Sequence, residues 1–425
     1  MKIHCIGIGG IGVSALAQYY LAQGHQVSGS DLAASEITDF LQKKGVKIFI
    51  GNKPENIKEG IILVIHSPAV KPENPEYKKA KELGIKLQSY PEALGELTKK
   101  YYTIAISGSH GKSTTTAMTG LLLAKAGLDP TIIVGTRLKE LGNSNFREGK
   151  SKYLVIEACE YDGSFLQYSP SIIVVTNVDK EHLDYFKTFA NVKKAFKEFI
   201  ARLPDGGILI ESKKVASKKD AEALKKLLKI PGEHNVSNAS CALAVARALG
   251  VDDKVSFKSL SEYKGSWRRF EIVKEKPYTV ISDYAHHPNE ILATLTAARE
   301  KYPKHPSTPI RQAQGKRLRA RKIWLIFQPH QHQRTHYLFN DFVKVFKKVK
   351  IDNIIITDIY DVAGREAEKI NKTVDSQMLV KKIGRKNVKY MPIDAAEKFV
   401  KENIKSGEVL IVMGAGDVYK LSDEF

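Results

Sequence analysis

The stretch that most constrains the fold is the run from Thr103 to Thr116, TIAISGSHGKSTTT. Its first four residues alternate and branch like a buried strand, a glycine-bracketed loop follows, and the apolar spacing over 114–126 predicts a helix. This order predicts a phosphate cradle, because backbone N–H groups in the loop and the helix N-terminus attract anions. A glycine turn that merely starts a helix is the alternative. It is disfavoured because Gly-Lys-Ser-Thr falls where strand meets helix.

The residue types in this loop indicate its chemistry. Lys112 is expected to reach the terminal phosphates of a nucleotide, and the Ser113 hydroxyl is expected to hold Mg²⁺. The usual pattern begins with glycine where this chain has Ile106, so the loop is a variant. The predicted cradle consists of Gly108, Ser109, His110, Gly111, Lys112, Ser113 and Thr114.

Candidate metal ligands follow two later strands. The strand over 153–157 ends in Glu157, and the strand over 172–175 leads to His182. We expect the two strands to be neighbours and to bring both side chains to the ligand-binding edge of one sheet. Glu157 suits magnesium, which takes mostly oxygen ligands. For His182 the sequence leaves two roles open, a metal ligand or a helix-cap or core histidine with Asp184 as its partner.

A second glycine motif opens the chain. Residues 3–12 form a short strand running into G-x-G-x-x-G, a helix is predicted over 13–22, and a second strand ends at Asp31. The glycines permit close approach to a diphosphate, and Asp31 can accept from a ribose or a base. The motif predicts a nucleotide without identifying which one. Ser67 follows the third strand at the same edge, although a simple Ser-Pro turn explains it equally well.

Polar clusters also follow three strands in the last third of the chain. The strand over 280–283 precedes Tyr-Ala-His-His-Pro, that over 323–327 precedes Gln-Pro-His, and that over 409–413 precedes Gly-Ala-Gly-Asp. These ends are expected to share one edge of a third sheet. Asn235 and Asn238 lie three residues apart at the start of a predicted helix, where they can face one ligand such as adenine or serve as caps.

Composition limits the class of protein. A length of 425 residues favours two to four domains of ~100–200 residues. The net charge of +20 comes from lysines scattered over predicted helix faces. This pattern favours a solvated surface, and steering of anionic substrates, over nucleic-acid binding.

No apolar run approaches the roughly 18 residues that span a membrane, and no signal peptide is expected. Three cysteines without metal or disulfide spacing suggest the cytosol. Residues 305–321 predict a basic surface insertion.

Together these motifs resemble the Mur ligase family of peptidoglycan synthesis, and the resemblance covers nearly the whole chain. The segments that carry it are 7–12, 107–114, 157–166, 175–179, 182–184, 234–238, 268–270, 283–288, 327–335 and 413–417. The resemblance implies an α/β protein of three α/β domains. These are a Rossmann-like UDP-sugar-binding domain (1–98), a central P-loop ATPase-like domain (99–264) and a C-terminal Rossmann-like amino-acid-binding domain (265–425).

The resemblance also implies an activity. It is that of a cytoplasmic, monomeric or homodimeric ligase that uses ATP and Mg²⁺ to join L-alanine to the lactyl carboxylate of UDP-N-acetylmuramate through an acyl phosphate. Attachment of a tripeptide to the same sugar nucleotide is the alternative. A folylpolyglutamate-type ligase would lack the N-terminal domain, and an oxidoreductase would rest on the first glycine motif alone. The intact set of Lys112, Ser113 and Glu157 argues against a non-catalytic regulator.

Roles for individual residues follow from the same resemblance. The UDP-sugar would be bound by Gly9, Gly10, Ile11, Gly12, Asp31, Ser67 and His330. ATP would be bound by the cradle with Asn235, Asn238 and Arg268. Ser113 and Glu157 would hold one magnesium ion, and Glu157 and His182 a second. Lys112, Arg269, His287 and Arg334 would serve catalysis. Gln331 stands where alanine-adding members often have arginine.

Overall fold

The computed structural model describes residues 1–215, 217–303, 321–361 and 373–425. The predicted insertion at 305–321 therefore lies, apart from Arg321, outside the described residues. The chain forms two compact units, one of Met1–Leu227 with Ser237–Tyr263 and one of Leu228–Val236 with Lys264–Phe425. Two sheets lie in the first unit and one in the second. The α/β class with three sheet-containing domains is thus confirmed, while the boundaries at 98/99 and 264/265 stay a prediction.

The first sheet has five parallel strands in the order β3-β2-β1-β4-β5. Ile3 of β1 pairs with Val27 of β2, and both are buried, as expected for a parallel sheet covered by helices. Its elements are β1 (Lys2–Ile6), α1 (Ile11–Ala22), β2 (Gln26–Asp31), α2 (Glu36–Lys43), β3 (Lys47–Ile50), β4 (Ile61–His66), α3 (Pro75–Glu82), β5 (Lys86–Ser89) and α4 (Tyr90–Thr98).

The second sheet has six strands in the order β11-β10-β6-β9-β7-β8, with the β7–β8 pair antiparallel. Its strands are β6 (Tyr102–Ser107), β7 (Thr131–Leu138), β8 (Ser144–Arg147), β9 (Tyr153–Glu157), β10 (Ile172–Val175) and β11 (Ile208–Glu211). The helices are α5 (Lys112–Lys125), α6 (Leu183–Phe186), α7 (Phe189–Ile200), α8 (Ser212–Val215), α9 (Lys218–Leu227), α10 (Glu233–Ala248) and α11 (Asp253–Glu262).

One sequence-based expectation about this sheet is wrong. The strands that end near Glu157 and His182, β9 and β10, are not neighbours, because each pairs with β6 from an opposite side. The strand that enters the glycine loop, β6, thus has β9 on one side and β10 on the other. The carboxyl end of β6 is therefore a topological switch point, where parallel sheets open a crevice for ligands. The segment that ends in Glu157 and the segment that bears His182 therefore lie on opposite sides of the cradle instead of side by side.

Helix α5 also differs from its prediction. It begins at Lys112, two residues earlier than the apolar spacing indicated, and it ends at Lys125. A single apolar face was expected, yet every residue from Ser113 to Leu123 is buried. The helix packs on β7 and β9 with one side and on α11 with another, so its threonines are enclosed along with its leucines.

The first two sheets share one hydrophobic core within their unit. Ile3 of the first sheet and Leu154 of the second belong to the same cluster of buried side chains. A buried polar network joins α1 to β8: Gln18 Nε2 donates to Asn145 Oδ1 at 2.7 Å, and Ser144 Oγ donates to Gln18 Oε1 at 2.8 Å. The Asn145 amide donates in turn to the Ile11 carbonyl at the start of α1.

The third sheet has six strands in the order β12-β13-β17-β14-β15-β16, with β12 antiparallel. Its strands are β12 (Glu271–Lys274), β13 (Thr279–Asp283), β14 (Ile323–Phe327), β15 (Asn353–Ile356), β16 (Val388–Tyr390) and β17 (Val409–Met413). The helices are α12 (Pro288–Lys301), α13 (His332–Tyr337), α14 (Phe339–Lys348), α15 (Ser376–Ile383), α16 (Ile393–Asn403) and α17 (Leu421–Glu424). The three strands expected to carry polar ends, β13, β17 and β14, are adjacent and parallel.

Among the described residues, no helix is both long enough and apolar enough to cross a bilayer.

Candidate active site

The glycine loop between β6 and α5 is braced by the residues that follow β10. Asn177 Oδ1 accepts from the His110 amide at 2.9 Å, and Asn177 Nδ2 donates to the His110 carbonyl at 2.9 Å. Thr176 Oγ1 donates to the same carbonyl at 2.6 Å, and the Ser109 amide donates to the Asn177 carbonyl. The loop is thus held open at the head of α5, where the first amides, those of Lys112 and Ser113, have no intrahelical acceptor.

Lys112 points back over this loop. Its Nζ donates to the Gly108 carbonyl at 2.6 Å and to the Ser109 carbonyl at 3.1 Å, and it lies 3.0 Å from Oε2 of Glu160. Glu160 is completely buried. Burial alone lowers the pKa of Lys112, but the negative charge of Glu160, with a contribution from Glu157, raises that pKa above its ordinary value. Lys112 therefore stays cationic, as a residue facing phosphate oxygens must.

The predicted metal ligands lie around this lysine. Ser113 is buried in the first turn of α5, and Glu157 ends β9, where its Oε2 accepts from the Gly135 amide at 3.0 Å. His182 immediately precedes α6, and its Nε2 lies 3.7 Å from Oε1 of Glu160. A hydroxyl and a carboxylate beside a phosphate cradle are the oxygen donors that Mg²⁺ prefers, so Ser113 and Glu157 fit that ion. His182 takes the N-cap position of α6 without a side-chain cap hydrogen bond, and its role as a metal ligand stays a prediction.

Asn235 and Asn238 both lie near the start of α10. Asn235 Nδ2 donates to the Pro231 carbonyl at 2.7 Å, which is the kind of local bond that asparagine makes at a helix start. Asn238 lies directly against Gly111, so closely that a Cβ at Gly111 would overlap its amide oxygen. Asn238 is therefore brought to the cradle, whereas Asn235 bonds to the segment before its own helix.

The first glycine loop is held by a hydrogen bond to Asp31, the acidic residue that ends β2. The Gly9 amide donates to Asp31 Oδ2 at 2.8 Å, and Gly10 is the residue before α1. Ile11 and Gly12 then form the first turn of that helix. Ser67 follows β4, and its side chain packs against Gly7 at the same sheet edge, while its carbonyl accepts from Val70 in a Ser-Pro turn. The Ser-Pro turn is therefore present, and a role for Ser67 in substrate binding stays a prediction.

Arg268 lies in the interior of the second unit. Its guanidinium is 4.3 Å from the ring of Tyr419 and 4.7 Å from that of Tyr284, and its Nη2 donates to the carbonyls of Gly414 and Gly416. Burial lowers the pKa of Arg268 to about 10. In this position Arg268 holds the glycine loop that follows β17. The sequence analysis expected Arg268 to contact the nucleotide, and that role stays a prediction.

A row of side chains runs along the carboxyl edge of the third sheet. The Arg269 guanidinium lies 4.9 Å from the Tyr284 ring, which contacts the His286 ring edge-on at 5.3 Å. His286 contacts His330 at 5.8 Å, and His330 Nδ1 lies 3.2 Å from Nη1 of Arg334. Two cations thus end a row of three rings, an arrangement that suits a small substrate carrying a carboxylate.

His287 is oriented differently from this row. It precedes α12, and its Nδ1 accepts from the Asn289 amide at 3.3 Å. The Glu290 carboxylate accepts from the His287 amide and completes a capping box. The cap engages the Nδ1 lone pair, so a substrate contact of His287 would be made through Nε2.

Sequence models of known families match all three sheet-bearing regions. The model described as Mur ligase family, catalytic domain, matches residues 2–102, and the Mur ligase middle domain matches residues 106–226. The model described as Mur ligase, glutamate ligase domain, matches residues 268–416.

The chain belongs to the Mur ligase family.

Individual members are similar over their full length. A UDP-N-acetylmuramate–L-alanine ligase of Acetivibrio thermocellus is 40% identical over an alignment 472 positions long, which covers 100% of this chain and 95% of the relative. The enzyme of the same name from Aquifex aeolicus is 39% identical and covers 100% and 97%. The solved UDP-N-acetylmuramate–alanine ligase of Thermotoga maritima matches with a TM-score of 0.78 and 27% identity, covering 100% and 98%. A murein peptide ligase of Psychrobacter arcticus shares the fold, with a TM-score of 0.70, 22% identity and coverage of 100% and 98%.

Three residues of this Mur ligase site were not among the sequence-based candidates. Glu160 pairs with Lys112, Asn177 braces the loop, and Tyr360 stacks on His330 with ring centroids 5.6 Å apart. Glu160 and Asn177 lie in polar runs after strands that the sequence analysis had singled out, so their positions were visible. Tyr360 follows β15, which no sequence motif marks.

Proposed function

We propose that this chain is an ATP-dependent ligase that joins L-alanine to the lactyl carboxylate of UDP-N-acetylmuramate in peptidoglycan precursor synthesis. Full-length relatives at about 40% identity bear the name of that activity. The observation that carries the proposal is the position of Lys112, a largely enclosed cation at the glycine loop that follows the central strand β6. We further propose a cytoplasmic enzyme, monomeric or homodimeric, that works with Mg²⁺.

The chemistry begins with activation of a poor electrophile. A carboxylate resists attack by an amine, so transfer of the γ-phosphoryl group of ATP first converts it to an acyl phosphate. Negative charge spreads over the transferring oxygens, and the Lys112 ammonium and the α5 amides are preorganised to stabilise it. Bound at Ser113 and Glu157, Mg²⁺ would add electrostatic stabilisation of the same charge.

The second step is attack by the amine of L-alanine on the acyl carbon, with inorganic phosphate as the leaving group. We propose that one of Arg269 and Arg334 at the edge of the third sheet holds the amino-acid carboxylate and the other serves the acyl phosphate, because the two cations lie at opposite ends of the row of aromatic rings there. His330 and His286 lie between them and can orient the ammonium or amine. His287 is a candidate donor through Nε2, since its Nδ1 serves the α12 cap.

The activity can be tested by phosphate release. The full-length chain is incubated with ATP, Mg²⁺ and UDP-N-acetylmuramate, and single amino acids or the tripeptide are offered in turn. We expect release with L-alanine and formation of the amide product. Release with the tripeptide alone would replace this proposal with the recycling reaction, and NAD binding without phosphate release would point to an oxidoreductase.

Lys112 provides the first prediction. Lys112→Ala should lower kcat by a factor on the order of 10²–10³, by analogy with the loss of one preorganised oxyanion donor. Lys125→Ala, at the exposed far end of the same helix, is the matched control and should leave kcat unchanged. Near-normal ligation by the Lys112 variant would remove this residue from the mechanism.

A further inference from the structure

The amino end of the third sheet carries a basic groove, remote from the polar strand ends. It encloses about 740 Å³. The residues that line it are Lys347, Lys348, Val349, Lys350, Ile351, Asp352, Arg385 and Asn387. Four of these eight residues are cationic and one is acidic. The groove is called the α14–α15 groove below, because it lies where those two helices end.

The single acid does not neutralise the groove. Asp352 forms an ion pair with Arg299 at 2.5 Å, and its carboxylate also accepts from the Ile323 amide at 2.9 Å. Arg385 donates through Nη1 to the carbonyls of Phe346 and Val349, which ties the segment after α15 to the end of α14. Carbonyls satisfy hydrogen bonds without cancelling the guanidinium charge, so a net positive potential remains.

Among the residues that the structure describes, the lysines have no carboxylate partner of their own. Within the described parts of the chain, no ion pair involves the three groove lysines or the three exposed lysines around the end of α15. These six residues are Lys347, Lys348, Lys350, Lys381, Lys382 and Lys386. Other surface lysines do form such pairs, as Lys79 does with Glu82 and Lys401 with Glu397.

Helix-end electrostatics explains only part of this cluster. Lys347 and Lys348 lie in the last turn of α14, where cations complement the helix dipole. Lys350 and Arg385 lie beyond the ends of α14 and α15, respectively, so the dipole argument does not reach them. Their repeated placement at one sheet end points to a ligand that is itself anionic.

The groove is also separate from the candidate active site. Lys350 precedes β15 and Arg385 precedes β16, at the amino ends of these parallel strands. His330 follows β14 at the carboxyl end of the same sheet. A ligand in the groove would therefore leave the strand ends that bear His330 and Arg334 accessible.

We propose that the α14–α15 groove and its flanking lysines bind the surface of an anionic phospholipid membrane. Clusters of four to eight lysines or arginines are attracted to such surfaces without a rigid geometry. The flexible stems of lysine suit a mobile array of headgroups. Met378 lies three and four residues before Lys381 and Lys382 on α15 and is 49% exposed, which supplies an apolar side chain beside the charges.

A nucleic-acid partner fits this groove less well. Single strands are held by aromatic side chains that stack on bases, and none of the described residues that line the groove is aromatic. Arginine dominates bidentate recognition of phosphates and bases, but the one arginine here already donates to two carbonyls. The lysines supply positive charge but do not recognise particular bases, as expected for residues that bind a lipid surface.

The test is sedimentation of the full-length chain with vesicles made of equal parts of phosphatidylglycerol and phosphatidylcholine. We expect binding to these vesicles at low ionic strength, none to vesicles of phosphatidylcholine alone, and weakening as salt is added. The triple substitution Lys347→Gln, Lys348→Gln and Lys350→Gln should reduce the partition coefficient about 100-fold, from roughly fivefold for each lysine.

A control with the same charge change separates the groove from general basicity. Lys218→Gln, Lys219→Gln and Lys226→Gln on α9 also remove three exposed charges and should change partitioning little. An equal loss in both triple variants would overturn the proposal. So would a groove variant that keeps vesicle binding but loses binding to a short RNA duplex. Circular dichroism and thermal unfolding show whether both variants are folded, so a failure of the proposed ligase reaction leaves this test intact.

Discussion

At the scale of single residues, the candidate site depends on one buried ion pair. Lys112 is enclosed, and the carboxylate of Glu160 beside it is completely buried. Breaking a buried pair by removing one partner is far more costly than breaking a surface pair, because the remaining charge is left without compensation. Glu160 therefore helps keep Lys112 charged and aimed along the loop before any nucleotide binds.

Glu160→Gln should lower the free energy of unfolding by about 3 kcal/mol, since it leaves the Lys112 charge buried without its partner. In a Lys112→Met background most of that loss should disappear, because the charge that needed compensation is gone. Guanidinium unfolding of the wild type, both single variants and the double variant measures the coupling. Additive losses would show that Glu160 stabilises the fold independently of Lys112.

A second buried carboxylate controls stability in the first sheet. Glu76 is completely buried and lies 3.5 Å from His4 Nε2, and it accepts from the Ser30 hydroxyl and the Asn56 amide. Burial alone raises the pKa of Glu76, but the hydrogen bonds from His4, Ser30 and Asn56 together hold it below its ordinary value. Its contribution to stability is therefore present above the unfolded-state pKa of about 4.3 and is lost as the pH falls through the lower folded-state pKa.

Glu76→Gln should consequently destabilise the chain by about 2 kcal/mol near neutral pH, and the difference from wild type should shrink below about pH 4. Urea unfolding at several pH values measures this difference. Glu55→Gln, on an exposed residue nearby, is the control and should change the unfolding free energy little at any pH. A difference for Glu76→Gln that stays constant into acid would contradict the assigned direction of the pKa shift.

At the scale of elements, the two glycines that bracket α5 have the same backbone and different surroundings. Gly111 precedes the helix with φ +83°, and Gly127 follows it with φ +81°. A Cβ at Gly111 would overlap Asn238, whereas a Cβ at Gly127 would meet nothing within 4 Å. Substitutions at these two glycines can therefore distinguish the cost of a left-handed backbone, which both share, from the cost of disturbing the close packing at the cradle, which only Gly111 has.

Gly127→Ala should lower the unfolding free energy by about 1–2 kcal/mol through backbone strain and leave the KM for ATP unchanged. Gly111→Ala should show a similar or larger loss of stability and a rise of about tenfold or more in the KM for ATP, because Asn238 or the loop must move. Thermal unfolding and initial-rate kinetics distinguish the two. Equal ATP kinetics in both variants would mean that the contact with Asn238 does not shape the cradle.

At the scale of the whole molecule, the first two sheets lie in one compact unit. They share a continuous core, and the Gln18–Asn145 network closes the polar gap between α1 and β8. Buried amides whose partners are removed cost ~1–3 kcal/mol each. The network therefore links the stabilities of the two sheets in addition to filling space between them.

Asn145→Ala should lower the unfolding free energy by about 2 kcal/mol and reduce amide protection in both sheets together. Hydrogen exchange followed by mass spectrometry can compare peptides from β1 and β4 with peptides from β6 and β9. Asn191→Ala, whose side chain caps only its local segment in the second sheet's region, is the control. Loss of protection confined to one sheet in the Asn145 variant would show that the sheets unfold separately.

Local patterns fixed most strand and helix positions in advance. The strands at Tyr153–Glu157, Ile172–Val175 and Ile323–Phe327 lie where runs of branched apolar residues placed them, because such runs favour buried parallel strands. The start of α5 was misplaced because threonines after Lys112 hide the apolar spacing. Tyr360 was missed because a single tyrosine after a short strand carries no pattern.

The sequence by itself determined the α/β class, the two glycine loops and the family, because these depend on short-range spacing and on residue types that few other structures require. Only the tertiary structure decided which groups meet at the loop Ser107–Thr116. It placed Glu160 against Lys112 and Asn238 against Gly111, and it set the strands that end near Glu157 and His182 on opposite sides of β6. Strand order and side-chain burial arise from long-range packing, and local sequence patterns do not encode them.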